Sequence, residues 1–230
     1  MRKTEILPTK LLVLVAMIVI VMTGCKKNDE EPSVIKDGDG NIYSSVKIGT
    51  QTWLVESLKT TKYSNGDPIT LVTSEASWSA LSTGAYSDFS NNTANATVYG
   101  HLYNWYAVKD SRKICPTGWH VPTNDEWSTL ASSLGGEAVA GGKLKEAGTS
   151  HWASPNTQAS NSSGFTALPA GYRYANGYFF DMYESVFFWT SSGNSVDNGY
   201  AWSLFYNDEA TYEESNNDAK NGYSVRCIKD

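Results

Sequence analysis

The chain has 230 residues, of which 13% are aromatic and 18% are charged, and its formal net charge is −6. A length of about 200 residues, once an N-terminal segment is set aside, suits one domain with a single core. An acidic protein is a poor candidate for binding nucleic acid or anionic lipid head groups, so we expect no nucleic-acid partner.

The first 24 residues have the pattern of a signal peptide. Arg2, Lys3 and Lys10 form a basic start, and residues 11–22 form an apolar run. That run, about a dozen residues long, is shorter than the ~20 needed to span a bilayer and suits the apolar region of a signal peptide. The small residues before Cys25 resemble the lipobox of bacterial lipoproteins, which implies cleavage before Cys25 and lipidation of that cysteine. The alternative is an uncleaved N-terminal anchor helix.

Removal of residues 1–24 takes away three cations and one anion, so the net charge changes from −6 to −8. Residues 25–36 are charged and poor in apolar side chains, which predicts a flexible tether. Two or more acyl chains give stable membrane binding, and a lipoprotein cysteine carries several. The lipid on Cys25 should therefore suffice to tether the domain to the membrane. The acidic residues 29–31 resemble the signal that exports lipoproteins to the outer face of the outer membrane in Bacteroidetes-type bacteria, and a plain solvated linker is the alternative. The predicted location is therefore the outer membrane, with exposure at the cell surface.

The domain that follows is expected to begin with a turn. Residues 37–41 resemble the start of an EF-hand loop, but Ile42 stands where that loop needs glycine and Ile48 where it needs glutamate. The calcium-binding pattern is therefore incomplete, and we predict a turn that leads into a strand. Residues 42–48 alternate like a strand and residues 52–55 return, which predicts a β-hairpin.

The next stretch has weak periodicity and then becomes densely aromatic. Trp78 and Leu81 suggest one short helical turn, and residues 90–95 suggest a polar loop. Residues 99–108 are rich in aromatic side chains, which suits either a stacking platform for sugar rings or part of a core. We expect them to belong to the core.

The clearest helix signal in the chain follows residue 122. Thr123 and Glu126 have the spacing of a capping box, in which each side chain accepts a hydrogen bond from the backbone N–H of the other residue. Trp127, Leu130, Ala131 and Leu134 then recur on one helix face, and Gly135-Gly136 ends the helix. We therefore predict the main helix here, with a minor second helix over residues 141–148.

The rest of the chain is predicted to form short strands separated by turns and loops. The Asn176-Gly177 pair between two aromatic runs is a strong hairpin signal. The acidic stretch between Phe205 and Gly222 is expected to be a loop. Strands are expected at residues 165–168, 172–174, 178–180, 187–191, 201–205 and 222–228.

The cysteines and histidines limit the chemistry that the domain can perform. Cys115 and Cys227 are the two cysteines left once Cys25 is lipidated, and in an oxidising compartment such a pair predicts a disulfide. The alternative is a nucleophilic pair of Cys115 with His120. The three histidines form no zinc-binding motif, so we predict no metal, no cofactor and no catalytic residue.

Seven stretches of the chain together resemble one family. They are 39–43 (DGNIY), 46–53 (VKIGTQTW), 99–105 (YGHLYNW), 115–123 (CPTGWHVPT), 164–173 (GFTALPAGYR), 188–192 (FWTSS) and 224–227 (SVRC). These motifs resemble the Fibrobacter succinogenes major paralogous domain of exported proteins and lipoproteins, over residues 37–230. The departure is small, since Ser57 stands where the family usually has asparagine. The resemblance implies a fold more than an activity, because the family's biochemical role is not established.

Part of the same pattern is similar to the superfamily of C-type lectins and formylglycine-generating enzymes. The similarity rests on residues 121–127, the later Trp-x-Ser and the terminal Val-Arg-Cys. It implies an α+β, C-type-lectin-like fold with twisted antiparallel sheets, one main and one minor helix, and long loops. The reactive cysteine pair of those enzymes and the calcium-binding triplets of the lectins have no match here. Residues 154–156 come nearest to a triplet but lack its carboxylate.

These observations favour a membrane-anchored, non-enzymatic lectin-like module for binding or adhesion, with glycan or a surface protein as ligand. Its candidate ligand-binding residues are the loop aromatics Trp152, Tyr183 and Tyr212. One alternative is a polysaccharide-active enzyme with a pair of loop carboxylates. The other is a purely structural envelope protein whose aromatic side chains all lie in the core.

Overall fold

The computed structural model describes residues 34–230 and Met1. Cys25, the predicted signal peptide apart from Met1, and most of the predicted tether therefore lie outside the described residues. Residues Val34–Asp230 form one compact unit. Its strand β1 (Ile35–Lys36) pairs with β2 (Ile42–Tyr43), so the fold begins before the predicted boundary at Asp37.

Residues 34–230 contain five α-helices and fourteen strands, most of them short. The helices are α1 (Glu75–Ser79), α2 (Thr93–Tyr99), α3 (Trp105–Val108), α4 (Asn124–Ser133) and α5 (Glu137–Leu144). The remaining strands are β3 (Ser45–Ile48), β4 (Gln51–Leu54), β5 (Thr70–Leu71), β6 (Ala85–Ser87), β7 (Leu102–Tyr103), β8 (Trp119–His120), β9 (Tyr172–Arg173), β10 (Phe179–Phe180), β11 (Ser185–Ser195), β12 (Asn198–Phe205), β13 (Thr211–Asp218) and β14 (Ile228–Lys229). A single 3₁₀ turn covers Phe89–Asn91.

The strands form five small sheets, which gives the α+β class predicted from the sequence. Their orders are β1-β2, β3-β4-β14-β8, β5-β6-β7, β9-β10 and β11-β12-β13. Within the described residues β5 and β6 run parallel, and the other paired strands are antiparallel. The hairpin predicted from residues 42–48 and 52–55 is confirmed as β3–β4, and the hairpin around Asn176-Gly177 is confirmed as β9–β10.

The turn that opens the domain is closed by one carboxylate. Asp37 accepts hydrogen bonds from the backbone N–H groups of Asp39 and Asn41, each at 3.0 Å. It also accepts the hydroxyl of Tyr43 at 2.6 Å. Both carboxylate oxygens of Asp37 therefore accept hydrogen bonds from within the turn and the strand that follows it, as expected for a structural turn.

The predicted main helix is confirmed as α4. The Thr123 hydroxyl accepts from the N–H of Glu126 at 3.2 Å, and the Glu126 carboxylate accepts from the N–H of Thr123 at 2.7 Å. Both halves of the capping box are therefore formed. Trp127, Leu130 and Ala131 are buried on its apolar face.

The minor helix α5 begins and ends four residues earlier than predicted. The predicted helix begins at Gly141-Gly142, and a Gly-Gly pair usually weakens a helix interior. They lie inside it because other backbone segments pass directly over them. A methyl group on Gly141 would lie 2.1 Å from the carbonyl oxygen of Ala210, and one on Gly142 would lie 2.6 Å from that of Gln158.

Several other predictions of local structure are wrong in detail. The acidic stretch after Phe205 contains the strand β13, whose Glu213 and Glu214 lie on a sheet edge, where charged side chains discourage further pairing. Helix α2 overlaps the predicted polar loop at residues 90–95, because the Asn92 side chain caps it. Residues 165–168 form only an isolated bridge through Ala167, and the last strand is reduced to β14.

Two buried clusters of apolar side chains form the interior, and both lie entirely within residues 34–230. Trp127 lies at the centre of one cluster and stacks on Phe188 and Trp202, with ring centroids 5.4 and 6.1 Å apart. The aromatic stretch at residues 99–108 is largely buried, which confirms its prediction as core; Tyr103, for example, is 0% exposed. The fragment 34–230 therefore carries its own core.

The predicted disulfide between Cys115 and Cys227 is confirmed. The two Cα atoms are 6.1 Å apart and the residues are 112 positions apart in sequence. Both cysteines are buried in the first cluster, between the segment before β8 and the segment before β14. The bond also excludes Cys115 as a free thiol nucleophile, so that alternative is wrong.

Three cations are fully or almost fully buried, and backbone carbonyls are their main partners. Lys145 donates to the carbonyls of Thr157, Phe205 and Asp208 at 3.1, 2.9 and 2.6 Å. None of the three cations has a carboxylate within ion-pair distance among the described residues. Burial therefore lowers the pKa of Lys145 to about 8.

The other two buried cations are arginines that also stack on aromatic rings. Arg173 donates to the carbonyls of Val72, Thr73 and Gly177. Arg226 donates to those of Leu54, Val55 and Phe165. Burial lowers the pKa of Arg173 to about 10 and that of Arg226 to about 9. Each cation joins segments that are distant in sequence, so together they fix the paths of the loops.

Candidate functional site

The three aromatic residues predicted to meet a ligand do not form one site. Trp152 is 1% exposed, and its indole N–H donates to the carbonyl of Ala167 at 2.9 Å. A side chain in the core cannot stack on a ligand at the surface, so Trp152 is removed from the candidate residues. Tyr183 and Tyr212 are 50% and 40% exposed, and they pack against different neighbours.

Tyr212 lies at one end of a row of six partly exposed aromatic rings, which we call the aromatic row. Its members in spatial order are Tyr174, Phe180, Tyr172, Phe187, Phe205 and Tyr212. Successive ring centroids are 6.4, 5.6, 5.0, 5.9 and 5.9 Å apart, which is the range of direct aromatic contact. Tyr174, Phe180 and Tyr212 are 48%, 41% and 40% exposed, so both ends of the row are open to solvent.

Two sheets bring the row together. In the sheet β11-β12-β13, Phe187 of β11 lies opposite Ser203 of β12, which in turn lies opposite Tyr212 of β13. These residues therefore share one face, and Phe205 lies two residues further along on the same face. The rest of the row comes from the hairpin β9–β10, in which Phe180 lies opposite Tyr172.

Arg173 holds that hairpin in place. Its guanidinium carbon lies 4.3 Å from the ring centroid of Trp78 and 4.7 Å from that of Phe179. Its Nε donates to the carbonyl of Gly177 in the hairpin turn at 2.9 Å. Because this anchor is 0% exposed, the rings on either side of it in the sequence are carried on a fixed backbone.

Carboxylates lie beside the two halves of the row. The Tyr212 hydroxyl donates to Asp208, and this hydrogen bond raises the pKa of Tyr212 above its ordinary value. Burial, and then the negative charge of Asp181, raise the pKa of Tyr172. The row thus combines flat apolar faces with hydrogen-bond acceptors at its border, an arrangement suited to a ligand that is apolar on one face and hydroxylated at its edges.

Comparison with protein-family models places the whole arrangement in one family. Residues 46–229 match the model described as the Fibrobacter succinogenes major domain. The chain belongs to the Fibrobacter succinogenes major domain family. The matched region runs from β3 to β14 and includes both cysteines of the disulfide and all six rings of the row. No curated protein and no solved structure matches the chain.

The histidines of this Fibrobacter succinogenes major domain are each paired with carboxylates. His101 lies 2.6 Å from Asp88, and burial lowers the pKa of His101. His151 lies 2.8 Å from Glu146. Residues 34–230 hold no group of three His, Cys, Asp or Glu side chains that could bind a metal ion.

His120 has two carboxylate partners in this domain. It lies 2.7 Å from Asp230 and 3.1 Å from Glu126, the capping-box residue of α4. It thereby connects the N-terminus of α4 to the end of the chain.

No helix in the described part of the chain is long and apolar enough to cross a membrane.

Sequence reasoning missed five of the six residues of the row. It predicted the hairpin at Asn176-Gly177 and the strands of Phe187 and Phe205, but it gave no indication that their rings contact one another. The available signal was the two-residue period, since Tyr172 and Tyr174 fall on one side of their strand. The contact between the hairpin and the sheet could not be inferred from any local pattern.

Proposed function

We propose that this domain is a non-enzymatic, lectin-like binding or adhesion module, and that the aromatic row is its contact with glycan. The observation that carries the proposal is the continuous row of six contacting rings with both ends exposed. Exposed aromatic residues scattered singly need no explanation, but a contiguous set on a fixed scaffold marks a binding surface.

Glycan fits the row better than the other ligands that aromatic surfaces bind. An aromatic face is apolar and electron-rich, so it attracts the C–H-covered face of a sugar ring. Nucleic acid also stacks on aromatic residues, but it requires a positively charged surface. The net charge here is −6, and Asp181 and Asp208 lie at the border of the row. Those carboxylates suit the hydroxyl groups at the edge of a sugar.

The proposal includes a surface-tethered lipoprotein. The basic start, the apolar run and Cys25 in its lipobox-like setting support lipidation, and the acidic residues 29–31 support export to the outer face of the outer membrane. The lectin-like fold is supported by the sequence similarity at residues 121–127 and by the α+β architecture. Fold analogy is a weak argument for function, so the row carries the assignment.

The test is a binding assay of fragment 34–230 on a panel of soluble polysaccharides and a glycan array, with and without calcium. We expect saturable binding to at least one glycan class, weakened at least tenfold by the triple variant Y174A/F180A/Y212A. Tyr178→Ala is the matched control, because Tyr178 is 53% exposed on the same hairpin but lies outside the row. Equal loss in the control and the triple variant would refute the site.

One further variant and one activity assay separate the alternatives. Tyr183→Ala tests whether the predicted contact of Tyr183 contributes independently of the row. Reducing-end release is measured from the same polysaccharides over pH 4–9, and we expect none. Release that persists in purified protein would contradict the non-enzymatic assignment. A folded, disulfide-bonded fragment that binds no glycan would refute the proposal in favour of a protein ligand or a structural role.

A further inference from the structure

A concave site lies apart from the aromatic row. Two cavities of about 440 and 420 Å³ are both lined by Tyr106 and Asp110. We call them together the Tyr106 groove, with a tip chamber beside the β11–β12 turn and a hydroxyl chamber beside Tyr63. The aromatic row contributes no residue to either chamber. Phe187 and Ser195 are roughly 25 Å apart along β11 at the usual rise of a strand, so the row and the groove use different parts of the hairpin.

The tip chamber has an aromatic wall and a polar rim. Gly193 and Gly199 lie directly against the indole of Trp105, since a methyl group on either would be within 2.5 Å of its ring. The Tyr106 hydroxyl donates to Asp197 at 3.1 Å, which ties the turn to helix α3. Asn194 adds an amide to the lining. The two glycines cover the indole of Trp105, which is 2% exposed, so the open aromatic surface of this chamber is the ring of Tyr106, with hydrogen-bonding groups beside it.

The hydroxyl chamber contains a buried polar group that has no hydrogen bond of good geometry. Tyr63 is 1% exposed and lines this chamber, and Asp110 is the acceptor among the described residues that acts on its hydroxyl. A side chain at residue 84 would block its approach, because a methyl group on Gly84 would lie 2.0 Å from the Tyr63 oxygen. Ser82 and Thr83 add hydroxyl groups to the same wall. Unpaired buried polar atoms are costly, and a bound hydroxylated ligand would supply the missing partner.

The charged residues of the groove neutralise one another. Arg112 donates to both oxygens of Asp110, at 2.9 and 2.7 Å, and to Asp67 at 3.2 Å. Its guanidinium also lies 4.0 Å from the ring centroid of Tyr63. The hydrogen bonds from the Arg112 side chain, and then that from its backbone N–H, lower the pKa of Asp110 to about 2. Because the guanidinium already has two carboxylates, it has little capacity left for an anion.

We propose that the Tyr106 groove binds an uncharged, polyhydroxylated ring compound, such as a free sugar or the end of a glycan, of one or two rings. The ring of Tyr106 provides the stacking surface, because Trp105 is 2% exposed. The Tyr63 hydroxyl and Oδ2 of Asp110, which accepts one hydrogen bond from Arg112, bind hydroxyl groups. The two chambers, which share Tyr106 and Asp110 in their linings, match a ligand of two linked rings. This site stands independently of the proposed function of the aromatic row.

The test is a ¹⁵N–¹H NMR titration of fragment 34–230 with glucose, N-acetylglucosamine, cellobiose and, as an anionic probe, glucuronate. We expect saturable shifts of amides at residues 83–84, 105–110 and 193–196 with at least one neutral probe. Tyr106→Ala should weaken that binding at least tenfold, whereas Tyr106→Phe, which keeps the ring, should stay within threefold. Thr83→Trp should block the hydroxyl chamber, and Ser132→Trp on the exposed face of α4 is its matched control.

The outcomes distinguish this site from the row. The variant Y174A/F180A/Y212A should leave the shifts in the groove unchanged, even if it abolishes polysaccharide binding. Shifts confined to the row, an absence of saturable shifts with every neutral probe, or preferential binding of glucuronate would each overturn the proposal. Equal effects of Thr83→Trp and Ser132→Trp would do so as well.

Discussion

Replacing Arg226 by methionine tests whether the buried cations stabilise the domain. Arg226 is 1% exposed, and its Nη1 donates to the buried carbonyls of Leu54 and Phe165 and to the partly buried carbonyl of Val55. The guanidinium also lies 4.2 Å from the ring centroid of Phe165. Methionine has a similar length and can fill the space, but it leaves all three carbonyls without a donor.

The magnitude follows from those three carbonyls. Each buried acceptor that loses its donor costs about 1–3 kcal/mol. The lower end applies, because methionine also removes the cost of keeping a charge out of water. We therefore expect R226M to lower the free energy of unfolding by about 3 kcal/mol. For a domain of this size that corresponds to a fall in Tm of roughly 6–12 °C.

Urea unfolding followed by tryptophan fluorescence and circular dichroism measures this difference, with a thermal scan beside it. R226K keeps the charge but not the planar fork, so we expect an intermediate loss of about 1–2 kcal/mol. Lys47→Met is the control for loss of an exposed cation and should change Tm by less than about 2 °C. If R226M were as stable as the parent chain, the free-energy cost of burying the guanidinium would equal the stabilisation from its hydrogen bonds to the carbonyls. That result would refute the reasoning.

Three further predictions concern the disulfide, alkaline pH and a helical glycine. The variant C115A/C227A should lose up to about 5 kcal/mol in urea unfolding, because the bond closes a loop of 112 residues. Burial raises the pKa of Tyr63 and Tyr99 to about 12, against 10 in the unfolded chain. Their contribution to the free energy of unfolding is therefore fully present below pH 10 and is lost as the pH rises to 12. The urea concentration at the unfolding midpoint should fall over this range. Gly141→Ala should cost about 1–3 kcal/mol by the same assay, because the methyl group would lie 2.1 Å from a backbone oxygen.

Each of these predictions has an outcome that contradicts it. A loss below about 1 kcal/mol for C115A/C227A would show that the unfolded chain is already compact between the two positions. Urea midpoints that stay constant between pH 10 and pH 12 would contradict the burial of Tyr63 and Tyr99. For the glycine, Gly148→Ala is the matched comparison at an open position, although its positive φ adds backbone strain. A smaller cost for Gly141→Ala than for Gly148→Ala would indicate that the loop beside α5 moves freely.

Signals that lie within a few residues of one another were sufficient to predict parts of the fold. The capping box of Thr123 and Glu126 and the turn at Asn176-Gly177 work through neighbouring groups, so their geometry follows from the local sequence. The disulfide was predictable because only Cys115 and Cys227 remained to pair in an oxidising compartment.

Features that depend on distant segments could not be predicted in this way. Trp152 lies in a polar stretch that suggested a surface loop, yet the carbonyl of Ala167 and the ammonium of Lys145 hold it inside. The strand β13 was hidden by its acidic side chains, which belong to a sheet edge rather than to a loop. The aromatic row needs a hairpin and a sheet to meet, and no sequence period encodes that contact.

Lys145, Arg173 and Arg226 bind backbone oxygens, and this affects which residues of the domain can be substituted during evolution. A main-chain carbonyl is present whatever side chain the residue carries, so these anchors depend little on the identity of the loop residues. Thr73, Thr157 and Asp208, for example, supply oxygens that any other residue at the same position would also supply. Loop side chains are thus free to vary while the loops keep their paths. Such a scaffold can acquire new ligands by substitution alone, without having to find a new fold for each.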